Sequence, residues 1–128
     1  MFNALVLDRV FHPRNEGPLQ DATHIGQIGI EGDGPFMTLW FYVENQSVKN
    51  AAYKTYGCPA SIASGSVIAE IAIGRNVSQV LAVSEGDISL LLGGLPEEKL
   101  DCARMAVNAV RDAFADNRVT GSPEPRCN

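Results

Sequence analysis

Cys58 is the residue whose type and position most directly suggest chemistry. It stands between Gly57, which breaks a strand pattern, and Pro59, which suits the first position of a helix. That places its side chain at or beside a helix N-cap. Unpaired N–H groups and the helix dipole favour negative charge there, so a thiolate is stabilised. The thiolate is the form that binds metals and attacks sulfur. The competing reading is a small buried hydrophobe at a strand–helix junction. Cys102 falls early in the last helical pattern, at the border of its apolar stripe, where a core-filling role competes with chemistry. Asp101, its neighbour, lies beyond that stripe and reads as a solvated charge. Asp33, in Gly32-Asp33-Gly34-Pro35, reads as a turn residue, because Asp accepts backbone N–H bonds and tolerates left-handed geometry. His12 and His24 fit no metal-ligand spacing, and Cys127 lies in the tail.

The elements that must position these residues follow from periodicity. Phe2, Leu5, Val6, Val10 and Phe11 recur at helical spacing, and Pro13 ends that helix. Residues 12–19 read as an irregular loop. Thr23 to Ile30 is a weak strand interrupted by Gly26 and Gly29. Met37 to Val43 is aromatic and β-branched, the strongest strand pattern in the chain. Glu44-Asn45-Gln46 turns it into a second strand, Val48 to Tyr56, antiparallel because the connection is short. A helix then runs from Pro59 to about Ile73, with Ala63, Val67 and Ile71 on one face, and Gly74 stops it. Val77 to Val83 and Asp87 to Leu92 are short helices. Pro96 starts the last helix, with Ala103, Ala106, Val107, Val110 and Phe114 as its apolar stripe. The order predicts an α+β fold: a small three-stranded antiparallel sheet with helices packed on one face. Residues 1–118 are expected to form a single domain, and 119–128 a flexible Pro/Ser-rich tail.

Composition limits the partners. The chain has 128 residues, 45% hydrophobic and 20% charged, which fits one ordinary globular core. Its net charge is −5 and its pI about 4.9, with Lys and Arg scattered along the chain. Nucleic acids and anionic membranes both require a basic footprint, so neither is expected as a partner. No stretch is long and apolar enough to span a bilayer, and the first residues lack the basic start of a signal peptide. Three cysteines with no export signal predict reduced thiols and a cytoplasmic setting. The chain carries no C-x-x-C, H-E-x-x-H, G-x-S-x-G or P-loop, so no enzyme is expected, and any chemistry must come from residues far apart in sequence.

Lys54 to Ser64, KTYGCPASIAS, resembles the K-T-Y-G-C-x-x-x-I-A-S signature of the NifU/IscU-type iron–sulfur cluster scaffolds. The likeness runs from about residue 6 to residue 117. His12-Pro13-Arg14-Asn15-x-Gly17 resembles the family's N-P-R-N-x-G loop, and Gly74-Arg75 its glycine–basic pair. Leu95-Pro96 and Cys102 match a later L-P-P-V-K-x-H-C segment in position. The resemblance implies a scaffold with no turnover of its own. Such a scaffold receives sulfur from a cysteine desulfurase, assembles a [2Fe–2S] cluster on three cysteines and passes it to apo iron–sulfur proteins. Some members instead hold zinc and accept sulfur. Cys58 and Cys102 match two ligand cysteines, and Cys102 matches the persulfide-accepting position.

Three departures from the family pattern bear on the site. The first ligand cysteine is Asp33 here, and the acidic residue that follows it in the family is Pro35. The histidine before the last cysteine is Asp101. The chaperone segment reads Leu95-Pro96-Glu97-Glu98-Lys99, so the resemblance supports a chaperone contact less than the other partners. The implied pocket is Asp33, Cys58, Asp101 and Cys102, two soft sulfurs and two hard oxygens. Cluster iron is held mainly by thiolates, so carboxylate ligation implies a labile [2Fe–2S] cluster or bound iron. Zinc accepts Cys and Asp together and is the alternative occupant. Two further readings remain open: an interaction module that keeps the fold without assembling a cluster, and a zinc-bound persulfide acceptor.

Overall fold

A computed structural model describes residues 3–12 and 14–115. Pro13 and the 119–128 tail with Cys127 lie outside the described residues. The elements are α1 (Ala4–Phe11), β1 (His24–Gly29), β2 (Phe36–Glu44), β3 (Ser47–Tyr56), α2 (Pro59–Ala72), α3 (Val77–Leu81), α4 (Glu85–Leu91) and α5 (Leu100–Phe114). The three strands form one antiparallel sheet in the order β1-β2-β3, as the sequence pattern predicts. Glu44 pairs with Ser47 across a two-residue hairpin loop, and Asn45 and Gln46 both take positive φ. That is the loop geometry whose twist matches the flanking strands.

Strand alternation sends Met37, Leu39 and Phe41 of β2, with Ala51 and Tyr53 of β3, into the core against α2 and α5. Burial pushes the Tyr53 phenol up to about 12, so it is neutral in the core. Two glycines set how closely the helices approach. A Cβ on Gly26 of β1 would stand 2.0 Å from the Ala109 carbonyl oxygen and 2.6 Å from the Ala113 nitrogen. The backbone of α5 therefore rests directly on β1, and the apparent interruption of the strand pattern at Gly26 is the seat of a helix. At Gly65 of α2 the Tyr53 ring of β3 fills the space instead, with a ring carbon 2.8 Å from where a Cβ would stand. Phe114, in the last turn of α5, stacks on both His24 and Phe41 at centroid distances of 5.0 Å.

The loop after α1 is more ordered than its composition suggests. Gly17 N–H donates to Tyr53 O at 2.7 Å, and Tyr53 N–H donates to Asn15 O at 2.9 Å, so residues 15–17 pair with the outer edge of β3. On β1, the Gln27 N–H donates to the Asp112 carboxylate at 2.8 Å. Both sheet edges thus have main-chain groups satisfied by non-strand partners, which blunts edge-to-edge association. Arg9 ties α1 to α2 through Ser66 Oγ at 3.0 Å and Glu70 at 2.5 Å.

Two helix starts differ from the sequence expectation. α4 begins at Glu85 rather than Asp87, because Ser84 and Asp87 form a reciprocal capping box. The last helix does not start at Pro96. Residues Glu97–Lys99 form a single 3-10 turn, closed by Lys99 N–H donating to Pro96 O at 2.8 Å, and α5 follows from Leu100. Cys102 consequently stands in the first turn of α5.

The Gly26 contact is testable. Gly26→Ala inserts a methyl group where the α5 backbone leaves no space, and overpacking of this kind costs about 3 kcal/mol. The expected outcome is a lower urea midpoint with an unchanged m-value. A midpoint equal to that of the parent would show that α5 does not sit on β1 this closely.

Candidate functional site

The end of β3 leads into α2 through Gly57 and Cys58. Cys58 is the N-cap of α2, with φ −79° and ψ 170°, and Pro59 occupies the first helical position. Cys102 is the third residue of α5. The two helices bring their first turns together, and the sulfurs stand 3.4 Å apart. Both cysteines are free and only half-buried, so the pair is a reduced dithiol open to reagents.

The surroundings treat the two sulfurs differently. At Cys58, burial acts to raise the thiol pKa. The backbone N–H groups of Ser61 and Ala60, the contact with Cys102 and the positive charge of Lys99 outweigh it, and the pKa falls below the ordinary thiol value. At Cys102, burial and the neighbouring Cys58 sulfur dominate over the Ser61 hydroxyl and Lys99, and the pKa rises. The pair titrates as a unit whose first proton leaves from Cys58. This is the thiolate-favouring environment expected of a sulfur at a helix N-terminus.

The two aspartates are placed otherwise. Asp101 is exposed, and its carboxylate pairs with Arg104, which also holds Glu85 at 2.8 Å. Asp33 is exposed in the 30–35 loop, where its N–H donates to Ile30 O at 3.0 Å in a turn. Phe36 pairs with Tyr56, so this loop leaves the sheet at the end that leads into Cys58. Lys54 and Thr55 fasten the loop and the strand after it to β3, through Glu31 at 2.6 Å and Phe36 O at 2.6 Å. Among the described residues no group of three or more His, Cys, Asp and Glu side chains is gathered to hold a metal ion.

Sequence reasoning missed Ser61 and Lys99. Ser61 is nine-tenths buried or more, and its hydroxyl reaches the Cys102 sulfur. Lys99 places a cation near both sulfurs. Their spacing offered a signal, because Ser61 is three residues after Cys58 and Lys99 three residues before Cys102, one helical turn in each case.

A three-stranded antiparallel sheet carrying two helices whose first turns present a free dithiol defines a small α+β domain. The chain belongs to the NifU/IscU family: residues 1–120 match the family model described as the NifU-like N terminal domain. It is 33% identical over 116 residues to iron-sulfur cluster assembly scaffold protein IscU 1 of Archaeoglobus fulgidus, covering 91% of this chain and 76% of that protein. It is 34% identical over 117 residues to the scaffold protein IscU of Aquifex aeolicus, covering 90% and 74%. A crystal structure from Fervidobacterium islandicum, provisionally described as a scaffold for the SUF system, shares the fold with a TM-score of 0.69 at 16% identity, covering 88% of this chain and 95% of that one. Among the described residues no helix is long and apolar enough to cross a membrane.

The asymmetry of the dithiol gives a pH prediction. Only the thiolate reacts with iodoacetamide. Cys58 carries the lowered pKa and Cys102 the raised one, so alkylation of Cys58 reaches half its maximal rate at a lower pH than that of Cys102. Peptide mass spectrometry across a pH series reads the two sites separately. Equal midpoints, or the reverse order, would contradict the assigned asymmetry.

Proposed function

We propose that this protein is an iron–sulfur cluster assembly scaffold that holds a labile cluster or iron at Cys58 and Cys102. The observation that carries the reading is the 3.4 Å approach of two free thiols from separate helices, one favoured as thiolate, in a chain of the NifU/IscU family. Soft thiolates are the donors that cluster iron prefers. Asp33 is the proposed third donor. Its loop leaves the sheet at the end that leads into Cys58. Asp101, engaged by Arg104, is left out of the proposed donor set. Two thiolates with one carboxylate make a weaker cluster site than three thiolates, which suits a cargo that is handed on.

In this reading the cluster is cargo, and the chain turns over no substrate. A cysteine desulfurase supplies the sulfur, and apo iron–sulfur proteins receive the product. A reducing compartment such as the cytoplasm keeps the dithiol free. The incomplete donor set favours a second reading, in which the fold is kept for binding partners, or holds zinc while accepting sulfur.

Anaerobic reconstitution with ferrous iron and sulfide separates these readings. The expected result is charge-transfer absorbance with matching iron and acid-labile sulfide in the parent protein. Cys58→Ser abolishes it, Asp101→Asn leaves it unchanged, and Asp33→Cys slows cluster loss to a chelator. Zinc without colour supports the sulfur-acceptor alternative. Colour in Asp33→Cys alone supports an interaction module whose pocket survives.

A further inference from the structure

The Cys58–Cys102 pair holds more chemistry than ligation. Two free thiols in contact are together a two-electron reductant. Their separation of 3.4 Å exceeds a disulfide bond by about 1.4 Å, a closure that side-chain rotation can supply. Both sulfurs are half-exposed, so a donor can reach either one. Ser61 places a hydroxyl beside Cys102, and Lys99 adds positive charge at both sulfurs.

Sulfur drawn from cysteine arrives as sulfane sulfur, formally uncharged, whereas a cluster contains sulfide. Someone must supply two electrons per atom. We propose that the dithiol of this chain supplies them, reducing one bound sulfane sulfur atom to sulfide at the assembly site. This rests on the cluster-assembly reading for its cargo.

The step balances as follows. One cysteine takes the sulfane atom from a persulfide or polysulfide donor and becomes a persulfide, and the donor leaves as its thiol or shortened polysulfide. The other cysteine, as thiolate, attacks the inner sulfur of that persulfide, which is the atom at contact distance. The new bond is Cys58 Sγ–Cys102 Sγ. The bond between the inner and outer sulfurs breaks, and hydrosulfide leaves with the bonding pair. The sulfane atom gains two electrons, and the two thiols lose them in forming the disulfide. An external dithiol reductant then restores the pair. Two thiols held together at one site need no third donor for this reaction, so it operates with the donor set that the described residues gather.

The test uses the full chain carrying Cys127→Ser, so that only one disulfide within the chain is possible. Inorganic polysulfide is the probe. The protein is treated anaerobically, desalted to remove free sulfide, and followed by intact mass spectrometry after alkylation. With both cysteines present, the mass of one added sulfur atom is expected to give way to loss of two hydrogens, with sulfide appearing in solution. Peptide mapping should find Cys58 linked to Cys102. In Cys58→Ser and in Cys102→Ser, the remaining cysteine should keep its added sulfur roughly tenfold longer or more, as expected when a held reactant is removed. Ser suits an N-cap, which protects the fold in Cys58→Ser. The mapping on the unsubstituted pair stands independently of either variant.

Three results would overturn the proposal: no sulfur uptake, a bound sulfur that lasts as long in the pair as in the single variants, or disulfides formed only between two chains. The assay contains no iron. Failure of cluster loading therefore leaves the proposal standing, and a stable persulfide in the intact pair overturns it without bearing on metal binding.

Discussion

The closeness with which α2 and α5 lie on the sheet is the constraint from which the site follows. At Gly26 the α5 backbone occupies the space of a side chain, and at Gly65 of α2 the Tyr53 ring does so. A helix seated by ordinary side chains stands further from its sheet, and its first turn moves with it. Cys58 sits at the start of α2 and Cys102 in the first turn of α5, so each seat fixes one sulfur. The helices that carry the two sulfurs, 3.4 Å apart, are thus seated by contacts elsewhere in the core. Close packing makes such displacements costly, because interiors have few voids into which a shifted helix could settle.

Electrostatics then distinguishes two residues of the same type. Cys58 is an N-cap, so the N–H groups of the first turn of α2 face it. Cys102 is the third residue of its helix, and there burial and the neighbouring Cys58 sulfur prevail. One pair therefore contains a sulfur whose surroundings favour the thiolate and a sulfur whose surroundings favour the thiol. The positive charge of Lys99 acts to lower the pKa of both sulfurs. The 3-10 turn at Glu97–Lys99 matters here, because it delays the start of α5 and puts Lys99 immediately before it.

Most of the fold was legible in the sequence: α5 buries a periodic apolar set, β2 is an aromatic and β-branched run, and α2, buried on nearly all sides, is bounded by Pro59 and Gly74. The hairpin at Asn45-Gln46, the break at Gly57 and the stop at Gly74 are turn chemistry with local causes. The capping boxes of α3 and α4 were also written in the sequence, as Asn76-x-x-Gln79 and Ser84-x-x-Asp87, but their hydrophobic runs are too short for periodicity to place their ends. The loop pairing at residues 15–17 was not legible, since a main-chain contact with Tyr53 leaves no trace in side-chain pattern. At the site, Cys58 as an N-cap followed from Gly57 and Pro59. The encounter with Cys102 did not follow from spacing and came only from resemblance. Asp101 shows the limit of reasoning by position: its neighbour faces Cys58 across the site, while its own carboxylate is directed to Arg104 one turn along the exposed face.

The departure at Asp33 changes what the remaining pair can be asked to do. A third thiolate would compete for iron and would also offer a second partner for either cysteine. With a carboxylate in that place, Cys58 and Cys102 have only each other as thiol partners among the described residues. A hard oxygen donor binds iron without entering thiol–disulfide exchange. On the proposed reading, metal retention weakens while a persulfide on one sulfur meets a single attacking thiol. A scaffold working in that way would be better suited to producing sulfide beside loosely held iron than to storing a finished cluster. The turn at Ile30–Asp33 is consistent with that division of labour, because it keeps the carboxylate on an exposed loop at the rim while the dithiol stays fixed by the helices behind it.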